Sequence, residues 1–240
     1  MQVICYLSNG YPDITASKKK IDQYYEAGCR IIEIDLPSTN PYLEGELISG
    51  RMHSALENCS DYDVYLDAIA YAQNTYSDLK VIILAYEDTI EAVGTDKLIA
   101  FCQNYQIPDM IIVGDKKPEI KDILMAGGVK VSCYIRYHLP EDEIEAAKKA
   151  NGFIYLQAKP IGSPVNPKFP TLKDCITELR SQGLDREIYC GVGVHAVEDI
   201  QMVKNAGADA AFIGSSILKV DHDPGKLHEV ICTFVHSAGD

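Results

Sequence analysis

No stretch of the 240 residues approaches the ~18 consecutive apolar side chains that a membrane helix requires, so no span of a bilayer is expected. CxxC pairs are absent as well: the eight cysteines, at 5, 29, 59, 102, 133, 175, 190 and 232, lie far apart. Metal-ligand spacing is thereby missing, a disulfide framework is not expected without secretion, and the thiols read as reduced core residues. Basic side chains are scarce. With 22 Lys and Arg against 35 Asp and Glu, the formal charge of -13 repels polyanions, which argues against nucleic acid as a partner because such binding depends on neutralised phosphates. Met1 and Gln2 lead straight into Val3-Ile4-Cys5-Tyr6-Leu7, without the basic and longer apolar regions of a secretory signal. A cytoplasmic location is expected. Low-complexity tracts and domain linkers are also lacking.

What is present has globular proportions, 47% hydrophobic and 24% charged. The length suits a single domain over residues 1–240, since α/β barrels need roughly 200 to 250 residues as one unit. Eight short apolar, β-branched runs recur: Val3 to Leu7, Ile31 to Leu36, Val81 to Ala85, Met110 to Val113, Val129 to Tyr134, Phe153 to Gln157, Glu187 to Cys190 and Ala210 to Ile213. Each is nearly continuous in apolar residues, as a strand covered on both faces would be. Between them lie segments with helical apolar spacing, such as Thr15 to Ala27, Asp96 to Tyr105, Glu141 to Ala150, Leu172 to Ser181 and Ala196 to Ala206. Alternation of this kind predicts parallel βαβ units and a single (β/α)8 TIM barrel. Thr15 and Thr95 are expected near helix starts, as is Pro140 with its three following acids. Gly28, Gly152 and Gly207 are expected as left-handed helix stops. Residues 37–79 are too many for one plain βα unit and should hold an extended loop and more than one helix. The proline-rich stretch 159–170 is irregular and could form a lid.

The strongest chemical signal comes late in the chain. Gly191-Val192-Gly193-Val194 and Gly214-Ser215-Ser216 follow the seventh and eighth runs, where barrels commonly bind phosphate through backbone N–H groups. Gly162, after the sixth run, is a third contributor. The competing reading is that these glycines only make tight turns. Glu33 lies inside the second run, where burial would raise its pKa and suit it to general acid/base work; an outward residue paired with a basic helix side chain is the alternative. Asp35 shares its face of the strand, so periodicity cannot choose between them. Glu44 and Glu46 read by themselves as solvated loop acids, and the six histidines as surface or capping residues.

These segments together resemble the tryptophan synthase α subunit family. The likeness rests on Tyr6-Leu7-Ser8-Asn9-Gly10-Tyr11-Pro12-Asp13, Glu26-Ala27-Gly28, Ile32-Glu33-Ile34-Asp35-Leu36-Pro37, Asn40-Pro41 and Glu44-Gly45. It continues through Gly152 to Leu156, Gly191 to Val194, Ala206 to Asp209 and Gly214 to Ser216. The resemblance implies a lyase of tryptophan biosynthesis that cleaves indole-3-glycerol phosphate by a retro-aldol reaction, without cofactor or metal. It implies Glu33 and Glu44 as catalytic residues, Tyr155 lining the site, and Gly162, Gly193, Gly214 and Ser215 gripping the phosphate. A β subunit is the implied partner. Glu44 stands where the family has aspartate, Lys159-Pro160-Ile161-Gly162-Ser163-Pro164 replaces an Arg-containing loop, and Asp115-Lys116-Lys117-Pro118 replaces Asp-(Val/Leu)-Pro. Two other readings stay open: a Schiff-base aldolase using Lys159, and a diverged barrel that binds a phosphorylated metabolite without turning it over.

Overall fold

The structure is a computed structural model that describes residues 1–162 and 164–239. Nine parallel strands run as β1 (Gln2–Leu7), β2 (Ile31–Leu36), β3 (Lys80–Tyr86), β4 (Asp109–Val113), β5 (Lys130–Val131), β6 (Cys133–Ile135), β7 (Ile154–Gln157), β8 (Ile188–Gly191) and β9 (Ala210–Ile213). They pair in the order β5-β4-β3-β2-β1-β9-β8-β7-β6. All eight expected runs are strands, and the ninth segment arises because the fifth run is interrupted at Ser132. The Ser132 amide donates to the Met110 carbonyl (2.9 Å), whereas the Cys133 amide donates to Phe153 (3.2 Å) and the Gly152 amide to Val131 (2.9 Å). One strand therefore passes its bonding from β4 to β7, and that transfer closes the sheet into a (β/α)8 barrel.

Side-chain alternation divides the apolar residues into two cores. Val3, Cys5, Leu7, Ile32, Ile34, Leu36, Val81 and Ile83 face outward against the helices, while Ile4, Tyr6, Ile31, Ile82, Leu84, Phe153, Tyr189 and Phe212 fill the inside. This is why the strands read as unbroken apolar runs. Inside, Phe153 stacks on Tyr189 with centroids 4.5 Å apart, and Tyr155 stacks on Phe212 at 4.3 Å. Each buried aromatic or aliphatic side chain contributes about 1.5–3 kcal/mol relative to exposure.

The helices are α1 (Ile14–Glu26), α2 (Glu46–Asn58), α3 (Tyr62–Thr75), α4 (Glu87–Val93), α5 (Thr95–Tyr105), α6 (Pro118–Ala126), α7 (Glu141–Lys149), α8 (Leu172–Ser181), α9 (Val197–Ala206), α10 (Ser215–Leu218) and α11 (Pro224–Gly239). The long second unit does hold a loop and two helices, α2 and α3. Several expected boundary residues need correction. Asp13, not Thr15, caps α1, its carboxylate accepting from the Ala16 amide at 2.8 Å. Gly94 with φ +92 precedes α5 in place of a Thr95 cap. Gly28 and Gly207 are left-handed stops at φ +92 and +89, but Gly152 is not: a Cβ there would lie 2.6 Å from the Val131 carbonyl, so its role is close approach at the barrel closure.

Candidate active site

Glu33 occupies the middle of β2, opposite Tyr6 of β1 and Ile82 of β3. It shares the inward face with Ile31 and Asp35 and is 7% exposed. No described residue donates a hydrogen bond to its carboxylate. Burial first, then the charges of Glu44 and Asp35, push this carboxyl well above the ordinary carboxylate range. The outward, ion-paired alternative is thus not what the structure contains.

Glu44 reaches the same mouth from the loop between β2 and α2, where Tyr86, the last residue of β3, donates to it at 3.2 Å. Burial raises this carboxyl too, against the lowering effect of the Tyr86 bond. Tyr155 lies on β7, its hydroxyl raised well above its usual pKa by burial first and then by Glu33, Tyr134 and Glu44. Tyr155 packs against the inner cluster beside Phe212, and Glu44 raises both Glu33 and Tyr155. Gly191 makes room for Tyr155: a Cβ there would sit 2.5 Å from the tyrosine Oη. Sequence reasoning read this glycine only as part of an anion turn.

The late turns converge next to these acids. The hydroxyl of Ser215, first residue of α10, lies 3.3 Å from Nδ1 of His195, and the Ser216 hydroxyl donates to the His195 carbonyl at 3.0 Å. The turn after β8 is thereby tied to the turn after β9. Gly193 (φ +96) stands against Ile161, whose Cδ1 would be 2.9 Å from an added Cβ, so the loop after β7 joins the same group. A Cβ on Gly214 would lie 3.8 Å from Cβ of Tyr6, the residue in register with Glu33. Among the described residues, the amide N–H groups of Gly162, Gly193, Gly214 and Ser215 find no acceptor within the chain. Unpaired backbone donors gathered at a strand-to-helix turn are suited to an anion.

Lys159 does not meet the needs of a Schiff-base lysine. Its ammonium is paired with Asp199 of α9 at 2.5 Å and the side chain is 35% exposed, not dry. Burial alone would raise Asp199, but the bonds from Lys159 and from the His195 and Ala196 amides bring its carboxyl below the usual range. Ser163 lies outside the described residues. Lys116 and Lys117 turn their amides onto Glu87, and Lys117 also pairs with Glu91.

Three sets of contacts were not legible in the sequence. Asp35 is fully buried and accepts from Tyr6 Oη (2.5 Å) and the Asn9 amide (2.6 Å). His195, exposed as expected, meets the hydroxyls of Ser215 and Ser216 through its Nδ1 and its carbonyl. Arg51 of α2 pairs with Asp221 (2.5 Å), donates to the Leu218 carbonyl at the end of α10 (2.8 Å), and shares Asp221 with Lys20 (2.7 Å). None carries a local motif, because each partner comes from a remote element. Among the described residues, no group of three or more His, Cys, Asp or Glu side chains could hold a metal ion, all eight cysteines are free, and no helix is long and apolar enough to cross a membrane.

Known proteins give the same picture. The family model described as tryptophan synthase alpha chain matches residues 1–234. The tryptophan synthase alpha chain of Cyanidium caldarium is 26% identical over 223 residues, covering 90% of each chain. That of Dehalococcoides mccartyi is 26% identical over 239 residues, covering 97% of this chain and 92% of the relative. In fold, the Legionella pneumophila tryptophan synthase subunit alpha superposes with a TM-score of 0.82 at 18% identity, covering 99% of this chain and 92% of the other. The Pyrococcus furiosus tryptophan synthase complex gives 0.79 at 18%, covering 99% and 97%. A family match over residues 1–234, on a barrel of the same fold, assigns this chain to the tryptophan synthase alpha chain family.

Proposed function

We propose that this protein cleaves indole-3-glycerol phosphate to indole and glyceraldehyde 3-phosphate. The observation that carries the reading is a buried acid that has no hydrogen-bond donor among the described residues, near four backbone donors that have no acceptor among them. Glu33 is the general acid/base. In the retro-aldol step C3 of the indole gains a proton, the neighbouring glycerol hydroxyl loses one, and the bond between C3 and the hydroxyl-bearing carbon breaks with its electrons returning to the ring. A carboxyl raised by burial can hold the required proton near neutral pH. Glu44, steadied by Tyr86, accepts the indole N–H; Tyr155 and Phe212 give the ring a flat wall; Gly162, Gly193, Gly214 and Ser215 grip the phosphate. No cofactor takes part. The substrate is held at both ends, so the scissile bond lies between phosphate and indole contacts, which is the positioning that such a reaction needs.

A β subunit is the partner in this reading, receiving the indole. Tyr42 and Leu43, on the loop that carries Glu44, are 54% and 69% exposed and offer the apolar surface for it. Glu33→Gln should abolish cleavage of indole-3-glycerol phosphate while leaving binding of glycerol 3-phosphate within about twofold, because the substitution keeps size and removes the exchangeable proton. Turnover by Glu33→Gln equal to that of the unaltered protein would remove the mechanism.

A further inference from the structure

Asp35 has no part in the steps above, yet it is the most deeply buried acid of the barrel, at 0% exposure. It stands two residues from Glu33 on the same face of β2, a spacing of roughly 6.6 Å along a strand. The two carboxyls have opposite surroundings. Both oxygens of Asp35 accept hydrogen bonds, from Tyr6 Oη and the Asn9 amide, whereas Glu33 receives none from the described residues. Two neighbouring acids in a water-poor interior do not both ionise readily. The one with donors keeps the charge, and the one without keeps the proton.

The geometry points to Asp35 as a positioning residue that acts through Glu33, its doubly hydrogen-bonded carboxylate holding the Glu33 carboxyl in the protonated form that donates to the substrate. This role rests on the proposed cleavage for its purpose, but not for its measurement. The other groups facing Glu33 are Tyr6 from β1, Glu44 from the following loop and Tyr155 from β7; β3 presents only Ile82 in register. Arg51 of α2 is a cation whose charge acts on Asp35, and it is already held by Asp221. Glu44 adds to the effect on Glu33, and more strongly than Asp35, but it sits on a loop and bonds to Tyr86, so substrate can compensate its charge. Asp35 is sealed in the strand at 0% exposure, where its two donors favour its charged form. Burial raises Asp35 itself to about 7, against the lowering bonds of Tyr6 and Asn9.

The test is a carbon-13 NMR titration of the Glu33 carboxyl, assigned by its loss in Glu33→Gln, in the unaltered protein, in Asp35→Asn and in Tyr6→Phe. No substrate is needed. In Asp35→Asn the Glu33 midpoint should fall by about one to two pH units, and the alkaline limb of kcat for indole-3-glycerol phosphate should move down with it. Tyr6→Phe, which removes one oxygen and weakens the charge on Asp35, should give a smaller fall and carries the test if Asp35→Asn does not fold. A Glu33 midpoint that stays put or rises in the folded variants overturns the assignment and leaves Asp35 as a strap between β2 and the turn after β1. If the unaltered protein fails to cleave the substrate while the midpoint still falls, the reaction is wrong and the assignment of Asp35 stands.

Discussion

A carboxyl group on the inner face of a barrel strand costs stability when it ionises, and β2 carries two. Asp35 titrates at about 7 in the folded chain against about 3.9 when unfolded. The folded value is the higher one, so its contribution is fully present below about pH 4 and is lost as pH rises through about 7. Glu33, raised in the same direction, acts in the same sense. Asp35→Asn should therefore flatten the decline in unfolding free energy between about pH 4 and 7, a decline to which Asp35 contributes up to roughly 4 kcal/mol. Urea denaturation at several pH values checks this; a steeper decline in the variant would contradict it. Gly191 gives a second residue-level case. A methyl at this position collides with the Tyr155 ring at 2.5 Å, so Gly191→Ala should displace Tyr155, lower stability by about 1–3 kcal/mol and raise KM for the indole substrate. Steady-state kinetics beside a thermal melt would separate the two effects.

Among the elements, those whose signal is local could be read from the chain alone. Ile31–Leu36 and Ala210–Ile213 are strands because each is an apolar run covered on both faces, and Leu172–Ser181 begins at Thr171 and Asp174, a capping box written in four residues. Gly193 and Gly214 follow β8 and β9 as the order of the runs predicts, whereas periodicity alone does not choose between Glu33 and Asp35. The pairing of Tyr6 with Asp35 spans 29 residues, and that of Arg51 with Asp221 spans 170. Such partners are set by barrel closure, which periodicity does not encode. The interruption at Ser132 was hidden for the same reason: both halves of the run are strand-like, and only the change of neighbour divides them. The Arg51 group yields a prediction at this scale. Arg51 anchors α2 to the end of α10, with Lys20, Arg51 and Asp221 at 9%, 8% and 8% exposure. Removing one partner of such a group typically costs about 3–5 kcal/mol. Arg51→Met should lower the melting temperature and, by freeing α10, weaken glycerol 3-phosphate binding; calorimetric titration of a folded sample reads the second effect. Unchanged phosphate affinity would show that α10 is held by the barrel alone.

For the molecule as a whole, the two chain ends meet. The amino terminus donates to the Ala238 carbonyl at 3.4 Å, and α11 buries Leu227, Ile231, Phe234 and Ala238. At about 1.5–3 kcal/mol for each of the three large side chains, α11 supplies an amount comparable with the whole stability of an ordinary domain. A chain ending at residue 223 should lose cooperative thermal unfolding, as read by circular dichroism; retention of a sharp transition would refute this.

The handover at Ser132 makes the barrel a hoop with a clasp. From β1 to β4 neighbouring strands share longer ladders, but around residues 130–135 one short segment must serve both sides at once. Heat or denaturant should undo the hoop there first. Amide protons of Gly152 and Cys133 should therefore exchange with deuterium sooner than those of β1 and β2, and the rim bearing Tyr155 should loosen before the rim bearing Glu33.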